Sequence, residues 1–332
     1  MSDMLQETVI QPPIEPGKML KQRGAGWVKF VSDFFLYRKH AALALMLLPT
    51  IAYFVIFRYI PMVGLQIAFK DYKMGLGIWG SPWNGLQNFT RAFNTPTFAR
   101  ALWNTIVISV YKTVIGFPAP IILALMLNEL RHMRFKRVVQ TISYLPHFLS
   151  WIVLAGLFMN ILNPNTGMIN YILTNWFGLE KGIYFLGNAS YFRGTLVVTD
   201  VWKGVGWGSI LYLAGISGID PGLYEAAICD GAKRWQRIWY ITLPCLAPTI
   251  TIMLILNVGG ILDAGFDQVF NLYNSAVYST GDIIDTYVYR YAFQQMQYSF
   301  SAAVGLFKNG IGFLLVIGTN YIARKISDNG LW

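Results

Sequence analysis

Lys112, Asp200, Lys203, Asp263 and Lys308 stand inside long stretches that are otherwise apolar, and Arg58 lies near the end of another. A charge at the centre of a membrane helix costs roughly 2.5–3.5 kcal/mol on insertion scales, so such residues face a bundle interior or a water-filled path. The chemistry they offer is conduction of a polar solute. If several of the cations line the route, chiefly Lys112, Lys203 and Lys308, they would favour an anionic one. Trp202, Trp207, Tyr212 and Asn257 occur in the same stretches, and flat rings beside hydrogen-bonding side chains are what a sugar needs. Each residue also has a plainer reading. Arg58 and Asp263 can reach an interface, and Asp200 and Lys203, three apart on one helical face, can neutralise each other. Lys112 and Lys308 can be structural pairs as readily as pathway cations, and Trp and Tyr collect at membrane interfaces without touching a solute.

Bond-making chemistry finds no residues to carry it. The chain has no Gly-x-x-x-x-Gly-Lys-Ser/Thr loop to cradle a nucleotide, and the Gly204-Val205-Gly206-Trp207-Gly208 run lacks the lysine-hydroxyl ending. Its Gly204 to Gly208 spacing reads as close helix packing. His40, His132 and His147 are far apart, with no Cys or carboxylate at ligand spacing, so no metal site is expected. No serine, cysteine or carboxylate pair stands in a nucleophile context, and no catalytic residue is expected.

Residues of this kind need membrane-crossing helices to hold them, and the composition requires such helices. Hydrophobic residues make up 55% of the chain and charged ones 13%, too few polar groups to cover a soluble surface. Six stretches reach the roughly 20 residues that cross a hydrocarbon core: about 40–60, 103–127, 139–161, 194–218, 243–266 and 301–323. The expected fold is all-α and polytopic, with six transmembrane helices. An even number places both termini on one side.

Basic residues choose that side. With the amino terminus inside, fifteen Lys and Arg fall in the cytoplasmic segments and seven in the longer outer ones, so both termini are expected in the cytoplasm. The net charge of +10 is then a topology signal. It is spread over four segments rather than gathered on one face, which argues against nucleic-acid binding. Residues 1–38 read as a cytoplasmic arm with Pro12, Pro13 and Pro16 that can continue as an interfacial helix around Trp27 to Leu36, where Trp27, Phe30, Phe34 and Phe35 can lie on one face. The arm lacks a small-residue cleavage site after an apolar core, so no removable signal peptide is expected. Residues 39–332 form the transmembrane domain. Cys229 and Cys245 both fall on the reducing side, where no structural disulfide is expected.

Between the fourth and fifth spans lies a basic cytoplasmic loop, about 219–242, whose pattern is specific. Asp220-Pro221 is a helix start. Leu223, Ala226 and Ala227 then share a face, giving a short helix to Cys229 with a small-residue surface that a partner can approach closely. Gly231 relaxes the backbone, and a second short helix, Lys233 to Tyr240, is expected to leave at an angle with Trp235, Ile238 and Trp239 as its apolar stripe. An ordinary amphipathic helix at the interface is the alternative.

Glu225-Ala226-Ala227, Asp230-Gly231-Ala232, Ile241 and Leu243-Pro244 resemble the coupling loop of binding-protein-dependent, type I ABC importer permeases. From about residue 40 onward the chain is similar to the carbohydrate-uptake members, especially the polysaccharide branch. Gly64 to Tyr72, Gly85-Leu86-Gln87-Asn88-Phe89 and Tyr278 to Tyr287 carry that likeness, and the whole resembles the membrane subunits of bacterial alginate importers. The resemblance implies the type I permease fold in a bacterial cytoplasmic membrane, and import of an oligosaccharide or polysaccharide, acidic in the alginate-like case, by alternating access. It implies a second homologous permease, two ATP-binding cassette subunits and a periplasmic solute-binding protein as partners, with ATP and Mg used by the cassette subunits and no cofactor bound by this chain. Glu225, Ala226, Ala227, Asp230 and Gly231 would map to the ATPase contact, Leu243 and Pro244 to the return into lipid, and the outer segments 61–102 and 267–300 to binding-protein docking. Gly222 departs from the polar or acidic residue that related loops often carry. Competing readings are an ion-gradient-driven secondary transporter, with Asp200, Asp263 and Lys308 as a relay, and a membrane scaffold.

Overall fold

A computed structural model describes residues 41–327, so the arm expected at 1–38 and its interfacial helix lie outside the described residues. Contacts divide the chain between Leu65 and Gln66 into two units. In the first, α1 (Ala41–Phe54) opens into a wide π turn at Val55–Tyr59, and 3-10 turns begin at Ile60. Arg58 sits in the π turn.

The second unit is all helix and turn, with a single isolated bridge, Lys70 to Trp83, among its described residues. Its longer helices are α2 (Pro96–Asn128), α3 (Met133–Tyr144), α4 (Trp151–Ile161), α5 (Ala189–Ser217), α6 (Pro221–Cys229), α7 (Arg234–Gly259) and α8 (Tyr298–Ser327). Two of them repeat a device seen after α1. The π turns at Val55–Tyr59, Lys112–Gly116 and Ile238–Thr242 are each followed two residues later by a proline, Pro61, Pro118 and Pro244. Proline brings no N–H and crowds the carbonyl four residues back, and one widened turn lets the helix pass it without a break.

By length and composition, Leu45–Phe69, α2, α7 and α8 can each cross a membrane. The span expected at 139–161 is not straight. Helical residues Met133–Phe148 and α4 meet at 108°, because Leu149 is extended and Ser150 caps a new helix by accepting from the Val153 amide. The span expected at 194–218 is continuous over 29 residues in α5, yet too polar to qualify by hydropathy. Its surroundings explain this. Phe192, Thr195, Leu196, Thr199, Ser209, Tyr212 and Ile216 are buried along its length, so much of its surface meets protein and need not be apolar.

Glycines in α5 set how closely its neighbours approach. A Cβ on Gly206 would lie 2.0 Å from the Ser143 carbonyl oxygen of α3, and one on Gly208 would lie 2.9 Å from Pro120 in α2. Gly204, expected to pack, has nothing within 4 Å; it lines a cavity instead. The close-packing glycines are therefore two apart rather than four, each serving a different neighbour.

The span expected at 243–266 ends at Gly259, and the chain runs unwound to Gly265 before the short helix Phe266–Leu272. What reads in sequence as a long outer loop at 267–300 is folded into short helices and turned inward. Ile283, Ile284 and Tyr287 are fully buried. Buried Asn104 of α2 donates to the carbonyls of Ser279 and Asp282, and Thr105 Oγ1 accepts from the Ile284 amide at 2.8 Å. Arg290 grips Asp282 through both guanidinium nitrogens, at 2.6 and 3.0 Å. Burial opposes the Arg290 charge, but the Asp282 carboxylate outweighs it and raises the pKa. Tyr273 is pushed up to about 12, chiefly by burial and then by Tyr278, so its hydroxyl stays protonated.

Gly206→Ala should destabilise the protein by about 1–3 kcal/mol, since α3 or α5 must shift, while Gly204→Ala should change stability by less than about 0.5 kcal/mol. Thermal unfolding of the two variants in detergent checks the order; equal midpoints would contradict it.

Candidate functional site

Two places gather several of the residues singled out in the sequence. The first is α6 and its exit. Asp220 accepts from the Gly222 amide at 2.9 Å, and Pro221 follows in the first turn. At the other end Gly231 adopts φ +78°. Its amide donates to the Ile228 carbonyl, and the Ala232 amide donates to the Ala227 carbonyl at 2.8 Å. These paired bonds are the Schellman ending, which satisfies terminal carbonyls and calls for glycine at the left-handed position. No residue of α6 is buried. Glu225, Ala226, Asp230 and Gly231 are exposed and Ala227 partly so, and one tie to the bundle is Tyr224 Oη to Thr242 Oγ1 at 2.9 Å.

The second short helix expected at Lys233 to Tyr240 is the start of α7 rather than a separate element. Helical backbone continues through the π turn at Ile238–Thr242 into Leu243 and Pro244, because that widened turn accommodates the proline. Cys229 and Cys245 are exposed free thiols.

The second place is a polar cavity of about 430 Å³ lined by Lys112, Thr113, Asp200, Gly204, Asn257, Asp263 and Gly265, among others. It joins residues from α2, α5 and α7. Lys112 enters from the π turn of α2 and is nearly buried, its side chain 11% exposed. It meets Asp200 at 3.4 Å, donates to the Ala264 carbonyl at 2.8 Å, and donates to Gln268 Oε1. Gln268 is fully buried and passes the link on to the Leu196 carbonyl and Thr199 Oγ1. Lys112 thus fastens the unwound segment after α7 to α5. Asn257 accepts from Thr113 Oγ1 at 3.1 Å, and Asp263 accepts from the Gly265 amide.

Charge partners differ from the local pairing that the sequence suggests. Asp200 pairs across helices with Lys112 instead of with Lys203. The Lys203 ammonium donates to the Leu149 carbonyl at 2.7 Å and lies over the Trp151 ring, so it holds the bend between α3 and α4. Lys308 meets both oxygens of Asp285 at 2.6 Å. Trp207 stacks on His147 at 4.5 Å, and Tyr212 is buried in the core with Ile121, Ala124 and Leu246. Trp202 lines a separate cavity with Tyr111 and Arg193. Lys112 and Asn257 therefore share one cavity, Trp202 faces another, and Lys203, Trp207 and Lys308 line neither. Among the described residues, no group of three His, Cys, Asp or Glu side chains is placed to hold a metal ion.

Gln268 and Arg193 were missed in the sequence. Gln268 falls just past the expected end of a span, where a glutamine carries no signal. Arg193 reads in the sequence only as one of the seven outer positive charges.

Several membrane-crossing helices, a charged cavity between them and an exposed, doubly capped helix leading into a span define a permease subunit. The chain belongs to the family of binding-protein-dependent transport system inner membrane components, whose pattern matches residues 116–328. It is a transport subunit and not an enzyme. Protein LplB of Bacillus subtilis is 44% identical over 93% of this chain and 95% of its own length. The polygalacturonan/rhamnogalacturonan transport system permease protein YteP of the same organism is 43% identical over 92% of each chain. Among solved structures, a chain of a bacterial ABC transporter involved in import of the acidic polysaccharide alginate superposes with a TM-score of 0.82, at 41% identity over 90% of this chain and 99% of that one. A second structure, of an alginate ABC transporter in complex with an alginate pentasaccharide-bound periplasmic protein, gives the same TM-score and identity.

Lys112→Met should destabilise the protein by about 3 kcal/mol by leaving Asp200 and Gln268 without their partner, and adding Asp200→Asn should restore at least half of the loss. Thermal unfolding of both variants reads this out. A double variant no better than the single one would remove the pairing from the account.

Proposed function

We propose that this chain is one membrane-spanning subunit of an ATP-driven importer that carries an oligosaccharide or polysaccharide, of acidic type, across the cytoplasmic membrane by alternating access. The observation that carries the reading is α6. Glu225, Ala226 and Ala227 lie on a solvent-facing helix with a small-residue surface, Asp230 and Gly231 close its end, and a short turn leads on to α7, which carries Leu243 and Pro244. A rigid, solvent-facing helix coupled to a membrane span suits the transmission of movement from a motor. Each of two ATP-binding cassette subunits would take one such helix, one from this chain and one from a homologous permease. ATP and Mg belong to those subunits.

The acidic substrate is supported by relatives named for polygalacturonan and alginate, since both polymers are built from uronic acids. A periplasmic solute-binding protein would deliver the sugar to the outer face. The polar cavity holding Lys112 and Asn257, and the neighbouring cavity holding Trp202, form the proposed pathway. The two share Val201 in their walls. Uptake would proceed as closure of the cassette subunits moves α6 and α7, rocks the two permeases against each other and turns the central site from outside to inside.

Co-purification of the tagged chain from its native membrane, followed by ATPase assay with and without oligouronates and the binding protein, tests this reading. Stimulated ATPase in the wild type should be lost in Gly231→Pro, whose fixed φ near −65° cannot replace +78°. Gly231→Asn, which tolerates the left-handed conformation, should keep at least about a third of it. A chain that purifies without ATPase activity would overturn the proposal.

A further inference from the structure

The lysines whose charge suits an acidic sugar are held by protein partners. Lys112 faces Asp200, Lys308 faces Asp285, and Lys203 is drawn to a carbonyl and a tryptophan ring. In the polar cavity the Lys112 charge is balanced by Asp200, with Asp263 adding a further carboxylate. That cavity offers little to attract an anion.

Arg193 is placed differently. It lies in the first turns of α5 and is half-buried. Its Nε donates to the Thr280 carbonyl at 3.1 Å and its Nη2 to Asn104 Oδ1 at 2.7 Å. Both acceptors are neutral, and among the described residues no carboxylate forms an ion pair with it. A guanidinium has five N–H donors in a planar fork, so most of them remain after these two bonds. The fixed fork suits two-point recognition of a carboxylate.

The same side chain lines a cavity of about 820 Å³ with Tyr111, Ser190, Trp202 and Thr280, within the size range of small-molecule sites. Trp202 and Tyr111 are half exposed, at 43% and 48%. Phe158 braces the Trp202 indole edge-on at 5.5 Å. An unneutralised guanidinium, two partly exposed rings and the Ser190 side chain line one open cavity, beside Thr280, whose hydroxyl donates to the Ala189 carbonyl at 3.1 Å. A uronate has the complementary parts, a carboxylate, apolar C–H faces and ring hydroxyls.

We infer that the cavity around Arg193, Trp202 and Tyr111 binds one acidic sugar unit, with the carboxylate on Arg193 and the ring face against an aromatic side chain. The inference rests on the acidic-saccharide reading given above and adds the residues that would read the charge. The neighbouring polar cavity then receives the chain without selecting for its sign, and discrimination between acidic and neutral sugars falls to Arg193.

Binding of trigalacturonate and of neutral maltotriose to the purified complex in nanodiscs, measured by calorimetry, tests the assignment. Wild type should prefer the acid at least tenfold. Arg193→Gln should lower affinity for the acid about tenfold or more and leave maltotriose unchanged, Arg193→Lys should recover part of the loss, and Trp202→Leu should weaken the acid without removing the preference. Arg193 also holds Asn104 and Thr280, so thermal unfolding of each variant accompanies the binding data. A folded Arg193→Gln or Trp202→Leu complex that binds trigalacturonate like wild type overturns the site. An Arg193→Gln complex that does not fold shifts the decision to Trp202→Leu, which alters none of those bonds. A wild-type complex with sugar-stimulated ATPase but no affinity for acidic sugars overturns the substrate reading, a failure distinct from that of the site.

Discussion

A cation that cannot reach water must be met by the protein, and the middle of this molecule is organised around meeting one. Lys112 stands in a widened turn of α2, and its ammonium draws together Asp200 from α5, the Ala264 carbonyl from the unwound stretch after α7, and Gln268 from the short helix beyond. Helical carbonyls are occupied by their own ladder, so a free carbonyl such as that of Ala264 requires a break in the helix. The lysine and the break sustain each other. Gly265, at φ +88°, brings its backbone so near that a Cβ there would lie 2.8 Å from the Lys112 nitrogen.

The segment beyond that break is held by a second network of the same kind. Asn104 is shared among Arg193 and the carbonyls of Ser279 and Asp282, and Arg290 closes on the Asp282 carboxylate. Residues 278–290 consequently behave as part of the helical core. Arg193 belongs to this network through neutral acceptors alone, which keeps its charge available to a ligand. Structural support and recognition thus come from one side chain, in contrast to Lys112, whose charge is matched inside the protein.

Local rules make α6 legible in the sequence: an Asp-Pro start, small residues on one face, and a glycine that relaxes the backbone after it. All of these act within a few residues, and the structure has Asp220 capping the start and the chain turning at Gly231; the left-handed conformation of that glycine and the merging of the next helix into α7 emerge from the structure. The long apolar runs likewise announced α2, α7 and α8. Less could be read where partners come from distant segments. Asp200 and Lys203 look like a pair because they are three apart, but the decisive partner of Asp200 is 88 residues away in the chain. The kink between α3 and α4 depends on Leu149 leaving the helical region and Ser150 capping the next helix, and apolarity alone does not reveal it. Arg193 was hidden for a related reason, since its significance lies in what fails to neutralise it.

Transport energetics provide the most direct test of the central claim that α6 couples this permease to a nucleotide-driven motor. Proteoliposomes would contain the complete complex, with ATP enclosed on the cassette side and labelled oligouronate with its binding protein on the other. The account predicts accumulation that requires ATP and persists when an ionophore collapses the proton and sodium gradients. Accumulation that disappears with the ionophore and proceeds unchanged without ATP would contradict it and favour a gradient-driven carrier.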